Sequence, residues 1–264
     1  MKRHLTYAIP FALLLWNGSL SANTLQTLTY NFPLDVDGGG AEATLNGSNV
    51  EIFCDNFGNE ISVPSGTYTA NVTDLSTTAN LDETRFGGVL SGDWVNINLS
   101  GGNPTATTDD TFFNTGAGSS SLARYEMVAY LVSLYNVPQG ASTANNDLQY
   151  AIWSLMDPTA DSMGINENKV TSDLEAAASW YMNMNTPGNL NALNSFLGEF
   201  EVVSDAKMTF SNGLGVGGFQ EQIVWTPTPE PRLEGLALFG LFAAGAFLLR
   251  RFRAGQPRVH PASR

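Results

Sequence analysis

The chain has 264 residues, one cysteine, two histidines and a formal net charge of −13. Between Asn23 and Pro231 the only cations are Arg85, Arg124, Lys169 and Lys207. All of the 25 acidic residues but Glu234 lie there, a net of −20 that repels nucleic acid and leaves no basic patch to bind it. Both histidines, His4 and His260, are terminal, so this region can build neither a histidine-activated nucleophile nor a His-ligated zinc or copper site. Cys54 as the lone cysteine excludes an internal disulfide.

The first 22 residues predict a signal peptide for export through the Sec pathway. Met1-Lys2-Arg3-His4 is a basic start, Leu5 to Trp16 is a short apolar run interrupted by Pro10, and Asn17 to Ala22 is small and polar. Residues 23–226 are then the exported domain. Its first part, 25–100, reads as strands. Leu25, Leu28, Tyr30 and Phe32 precede a Gly38-Gly39-Gly40 turn. Asn49 to Cys54 alternates, which puts Val50, Ile52 and Cys54 on one inward face. Asp55-Asn56-Phe57-Gly58 reads as a turn, Thr67 to Val72 as a strand, and Trp94 to Leu99 as another. Asp35 and Asp37 lack the remaining positions of a calcium loop and read as an acidic turn. Gly101 to Ser121 is expected to be a long surface loop.

Residues 122–198 are the helical part. Leu122, Tyr125, Val128, Ala129, Leu131, Val132 and Tyr135 recur at helical spacing before Pro138-Gln139-Gly140. Asn145 or Asn146 is the expected cap of the next helix, with Leu148, Ala151, Ile152, Leu155 and Met156 as its apolar face and Gln149 in its first turn. Ser172 and Glu175 predict a capping box for a third helix, and Asn189 to Leu197 a short fourth. Strands return over 199–226. This order argues for an α+β fold: a mainly antiparallel β-sandwich or barrel with an inserted helical subdomain.

The C-terminal part has its own order. Thr226 to Pro231 is a stiff proline-rich spacer. An apolar stretch from Gly235 to Leu249 follows, which Leu233 and the arginine stems extend, as a span over 233–249, toward the roughly 20 residues a bilayer needs. It predicts a single transmembrane helix. Arg250, Arg251 and Arg253 put its far end, and the tail 254–264, on the cytoplasmic side of the inner membrane. Pro229-Glu230-Pro231, the short span and the arginine cluster together resemble the PEP-CTERM sorting signal of Gram-negative bacteria, over 227–253. The resemblance implies processing by an exosortase-type enzyme, and placement at the cell surface or in the extracellular matrix of cells that make exopolysaccharide. Arg232-Leu233-Glu234 and the tail past the arginines depart from the usual pattern.

Two further stretches, Phe53-Cys54 on a strand and Leu148-Gln149-Tyr150-Ala151-Ile152-Trp153 on a helix, resemble the thioester domains of bacterial surface adhesins. The resemblance implies that Cys54 and Gln149 join in an internal thioester, which a surface amine opens to leave a covalent amide. Phe53, Phe57, Tyr150 and Trp153 are the candidates for a pocket that keeps water from the bond. No cofactor or metal is expected, and no enzyme activity. The carboxylate pairs Asp109-Asp110 and Glu199 with Glu201 carry little weight in so acidic a domain. Two functions remain open: a surface or matrix protein that adheres covalently through Cys54 and Gln149, and a non-reactive structural or carbohydrate-binding matrix module. In the second, Trp94, Trp180 or Tyr181 would stack on sugars.

Overall fold

The computed structural model describes residues 25–33, 40–56, 67–90, 93–94, 97, 110–135, 143–157 and 167–226. The expected signal peptide, the Asp35/Asp37 turn, Phe57, Asp109, the sorting motif Pro229, Glu230, Pro231, Arg250, Arg251 and Arg253, and the 233–249 span lie outside them. Among the described residues, no helix is long and apolar enough to cross a membrane.

Six antiparallel strands close into a barrel. They are β1 (Gln26–Pro33), β2 (Gly40–Leu45), β3 (Ser48–Cys54), β4 (Thr67–Asp74), β5 (Phe200–Asp205) and β8 (Gln222–Trp225), in the order β1-β2-β3-β8-β5-β4. Asn46 and Gly47, at φ 49° and 85°, make the tight turn between β2 and β3. Between β5 and β8 the chain makes a separate two-stranded hairpin, β6 (Thr209–Ser211) and β7 (Leu214–Val216). The helical part, inserted between β4 and β5, contains α1 (Asp110–Asn114), α2 (Ser121–Ser133), α3 (Thr143–Met156), α4 (Glu167–Met184) and α5 (Leu190–Leu197).

Period-two alternation divides the core in two. Ile52, Val203 and Val224 point into the barrel with Leu28, Tyr30, Ala41, Ala43 and Ala70. Their neighbours Phe53, Val202 and Ile223 point outward into a larger cluster with α2, α3 and α4. The expected alternation on β3 is therefore right about direction but incomplete, because both faces of its C-terminal half are buried: Ile52, Phe53 and Cys54 are all inaccessible. The wall that carries the cysteine lies between the barrel interior and the helices.

Several expectations need correction. Trp94 and Ile97 belong to no strand. The Asn114 side chain satisfies the Ile97 peptide in place of a neighbouring strand, accepting from its N–H at 2.8 Å and donating to its carbonyl at 2.9 Å. The expected 101–121 loop contains α1, whose Phe112 and Phe113 are buried. α3 starts at Thr143, so Asn145 and Asn146 lie inside it and Gln149 is its seventh residue. α4 starts at Glu167, which leaves Ser172 mid-helix instead of at a cap.

Arg124 fastens the helices together. It is fully buried on α2 and donates to the Leu155 carbonyl in the last turn of α3 and to the Phe113 carbonyl of α1 at 3.1 Å. Its guanidinium also lies 4.2 Å from the centroid of the Trp94 ring. Burial lowers its pKa to about 9, so it remains a cation at neutral pH, set where helix C-termini favour positive charge.

Candidate functional site around Cys54 and Gln149

Cys54 ends β3, on the interior face at one end of the barrel, opposite Gln222 of β8. α3 lies against it. Gln149 and Trp153 are one helical turn apart on the same side of α3, and both reach Cys54. The Gln149 amide nitrogen donates to the Cys54 main-chain carbonyl at 2.5 Å. The Gln149 carbonyl oxygen accepts from the Tyr135 hydroxyl at 2.9 Å. Both ends of the carboxamide are thus held, and the group is 1 % exposed.

The thiol is equally enclosed. Cys54 Sγ donates to the Asn56 carbonyl at 3.1 Å, accepts from the Trp153 indole N–H at 3.3 Å, and accepts from the Gln220 side-chain amide. Gln220 also donates to the Asn56 carbonyl at 2.7 Å. Burial pushes the thiol pKa well up, and the Asp55 carboxyl adds to the rise. The bonds with Trp153, Asn56 and Gln220 offset part of it. Burial therefore favours the protonated form of the thiol.

The candidate pocket aromatics divide. Trp153 and Tyr150, edge to face at 5.1 Å, pack with Cys54 in a small cluster of their own. Phe53 points the other way into the helical core, 4.8 Å from the Tyr135 ring. It packs on Tyr135, the donor to Gln149. Of the aromatics considered for sugar stacking, Trp94 and Tyr181 are buried, and Trp180 is sandwiched against Tyr130 and Phe196.

Sequence reasoning did not find Tyr135, Asn56 or Gln220 as site residues. It also missed a carboxyl pair beside them. Asp55 and Glu221 are both inaccessible. Glu221 accepts from the Tyr125 hydroxyl at 2.6 Å, from the Arg85 backbone N–H at 2.5 Å and from the Ser204 hydroxyl. Neither Asp55 oxygen receives a donor from those groups. Burial and the neighbouring Glu221 carboxyl raise the Asp55 pKa well above the carboxylate range, against a smaller lowering by Arg85. Beside a second buried carboxyl, Asp55 therefore favours its protonated form.

The one signal for this cluster is polar: Gln220-Glu221-Gln222 leads into the apolar run of β8, and three adjacent buried polar residues need partners. Among the described residues, no three His, Cys, Asp or Glu side chains gather as a metal site would require. Comparison with known protein families, curated proteins and solved structures yields no match to the chain.

Proposed function

We propose that this chain is an exported surface or matrix protein whose domain forms a thioester between Cys54 and Gln149 and uses it to bind amine-bearing partners covalently. The observation that carries the reading is the seat of the Gln149 carboxamide, bonded to Cys54 at one end and to Tyr135 at the other.

In the forming reaction Sγ attacks the Gln149 side-chain carbonyl carbon. A C–S bond forms, the C–N bond breaks, and the thiol proton leaves on nitrogen as ammonia. The Gln149 carboxamide is tethered to the Cys54 main chain, and groups held close together react as if at very high concentration. Negative charge develops on the carbonyl oxygen, where the Tyr135 hydroxyl already donates. Unpaired N–H groups at the start of α3 do not serve here, since Gln149 is the seventh residue of that helix. The Trp153 and Gln220 donors stabilise the sulfur as it loses its proton. Trp153 and Tyr150 shield the product from water. The chemistry is a single covalent capture, not turnover.

Export, exosortase-type processing and surface or matrix placement complete the reading, supported by the ordered signals at both ends of the sequence. Exopolysaccharide is the surrounding medium it implies. The test of the covalent function is methylamine uptake followed by peptide mapping. The label should fall on Gln149 and vanish in Cys54→Ala. A label at other glutamines, or one that survives the substitution, would contradict it. For the carbohydrate-binding alternative, Trp94 and Tyr181 are buried and Trp180 packs on Tyr130 and Phe196.

A further inference from the structure

Among the described residues the strands of the β6–β7 hairpin pair only with each other, and the two outer edges of the hairpin differ. On β7, the Gly215 N–H donates to the Arg85 carbonyl at 2.6 Å, and the Gly215 carbonyl accepts from the Arg85 guanidinium at 2.7 Å. Both main-chain groups of Gly215 therefore point away from β6. In an antiparallel pair, the residue opposite such a position also turns its N–H and C=O outward, on its own side. That residue is Phe210. Its N–H and C=O stand on the outer edge of β6, where no described main-chain group meets them.

This edge is uncovered and unguarded. Thr209, Phe210 and Ser211 are all exposed, the Phe210 ring at 47 %. Edge strands are ordinarily blunted by a charge, a proline or a covering element. From Met208 to Gln220 there is neither a charged residue nor a proline. Three of the seven large apolar side chains exposed among the described residues, Phe210, Leu214 and Val216, belong to this one hairpin. An apolar strand edge with unmet hydrogen-bonding groups is a surface for the addition of another strand.

The strand that fits is β6 itself. A net of −20 between Asn23 and Pro231 makes two copies repel over most of their surface, and the uncharged hairpin is where they can meet. A charged partner finds nothing on this edge to pair with. Two β6 strands laid antiparallel about a twofold axis at Phe210 complement each other fully. Each Phe210 gives its N–H to the carbonyl of the other and receives one in return. The two phenyl rings stand side by side on one face, and on the other face Thr209 meets Ser211 of the second copy, twice. Aromatic and hydroxyl pairs of this kind are favourable across strands, and here no like charges face each other.

We infer that this chain pairs with a second copy of itself through β6, so that the two hairpins form one four-stranded sheet. The edge is only three residues long, so the association is weak and depends on concentration. The pairing uses no atom of Cys54 or Gln149 and stands whether or not the thioester forms. Where the thioester does form, each dimer carries two points of covalent capture.

The test uses the full chain in mild detergent, followed by sedimentation from micromolar to millimolar concentration. A monomer–dimer equilibrium is expected. Phe210→Glu sets two like charges at the axis and should weaken it at least tenfold, whereas Phe210→Tyr should pair as the unmodified chain does. Both should melt with the unmodified chain, because the side chain is exposed. Cysteine cross-linking by glutathione disulfide reads the register. Paired Phe210 Cα atoms would lie about 5.5 Å apart, within reach of a disulfide, so Phe210→Cys should give a covalent dimer. Thr209→Cys should do so at least tenfold more slowly, since its Cα atoms would lie about 7–8 Å apart. A peptide copying Lys207–Val216 should dissociate the dimer, and a scrambled peptide should not. A monomer at every concentration, a dimer that Phe210→Glu leaves intact, equal cross-linking at both positions, or equal competition by the scrambled peptide would each overturn the inference. Methylamine treatment should leave the dimer unchanged, which keeps this outcome separate from that of the thioester.

Discussion

Gln149 donates its side-chain amide to the main-chain carbonyl of Cys54 across 95 positions of sequence, at 2.5 Å and out of contact with water. Neither partner can drift. Cys54 is fixed by the β3–β8 ladder, where it pairs with Gln222. Gln149 is fixed by the apolar face of α3, of which Ala151, Ile152 and Leu155 are inaccessible. A helix and a strand, not loops, hold the two groups, as a preorganised site requires.

Tyr135→Phe is the sharpest test of the oxyanion role. It removes the one hydroxyl that donates to the Gln149 carbonyl and keeps the ring that packs on Phe53. Thioester formation should slow by about 100-fold, the usual cost of losing one such donor. Intact mass followed over time after expression reads the rate directly. The melting temperature should fall only slightly, because the change costs about 1 kcal/mol.

The buried carboxyls give stability a definite pH dependence. Asp55 and Glu126 both titrate higher in the folded chain than in the unfolded one, principally through burial. The folded state then holds protons that the unfolded state has released. Their contribution is greatest at low pH and is lost as pH rises through the folded values. For Glu126 this window runs from 4.5 to about 7. Glu126→Gln should flatten the melting temperature across that window, and Asp55→Asn should flatten it from the ordinary aspartate value upward. Melts against pH check both; variants that fall with the same slope as the unmodified chain would refute the assignment.

Arg124→Leu should destabilise by about 2–4 kcal/mol, since it leaves the Leu155 and Phe113 carbonyls without their buried donor. In a domain of this size that is on the order of 4–16 °C in melting temperature. Lysine should not rescue it, because one ammonium on a flexible stem does not reproduce the planar fork that spans two helix ends.

Much of the architecture is readable from residue order alone. The switch from period two to helical spacing and back locates the inserted helices, and alternation along β3 gives the correct direction for Cys54. The errors have local causes. Asn145 and Asn146 are strong capping residues, yet α3 begins before them. Ser172 with Glu175 has the form of a capping box, yet α4 runs through it. In both, packing along the helix outweighs a local preference. The Trp94–Leu99 pattern alternates as a strand would, but the Asn114 side chain takes the two backbone hydrogen bonds of Ile97 that a neighbouring strand would have made.

The β6–β7 hairpin carried a usable signal. Asn212-Gly213, at φ 51° and 79°, is the pair that a tight two-residue hairpin turn prefers. The contact between Cys54 and Gln149 was legible through short motifs. Tyr135, Gln220 and the Asp55–Glu221 pair were not, because only the fold brings four separate segments to one end of the barrel.

The most direct measurement is the intact mass of the purified full chain, taken with a thiol titration under denaturing conditions. The account predicts that the peptide between the signal-cleavage site and the C-terminus weighs one ammonia less than its sequence. It predicts no titratable thiol, and the appearance of one on treatment with methylamine. Full sequence mass with one reactive thiol from the outset would contradict the thioester and leave Cys54 and Gln149 as a buried structural contact.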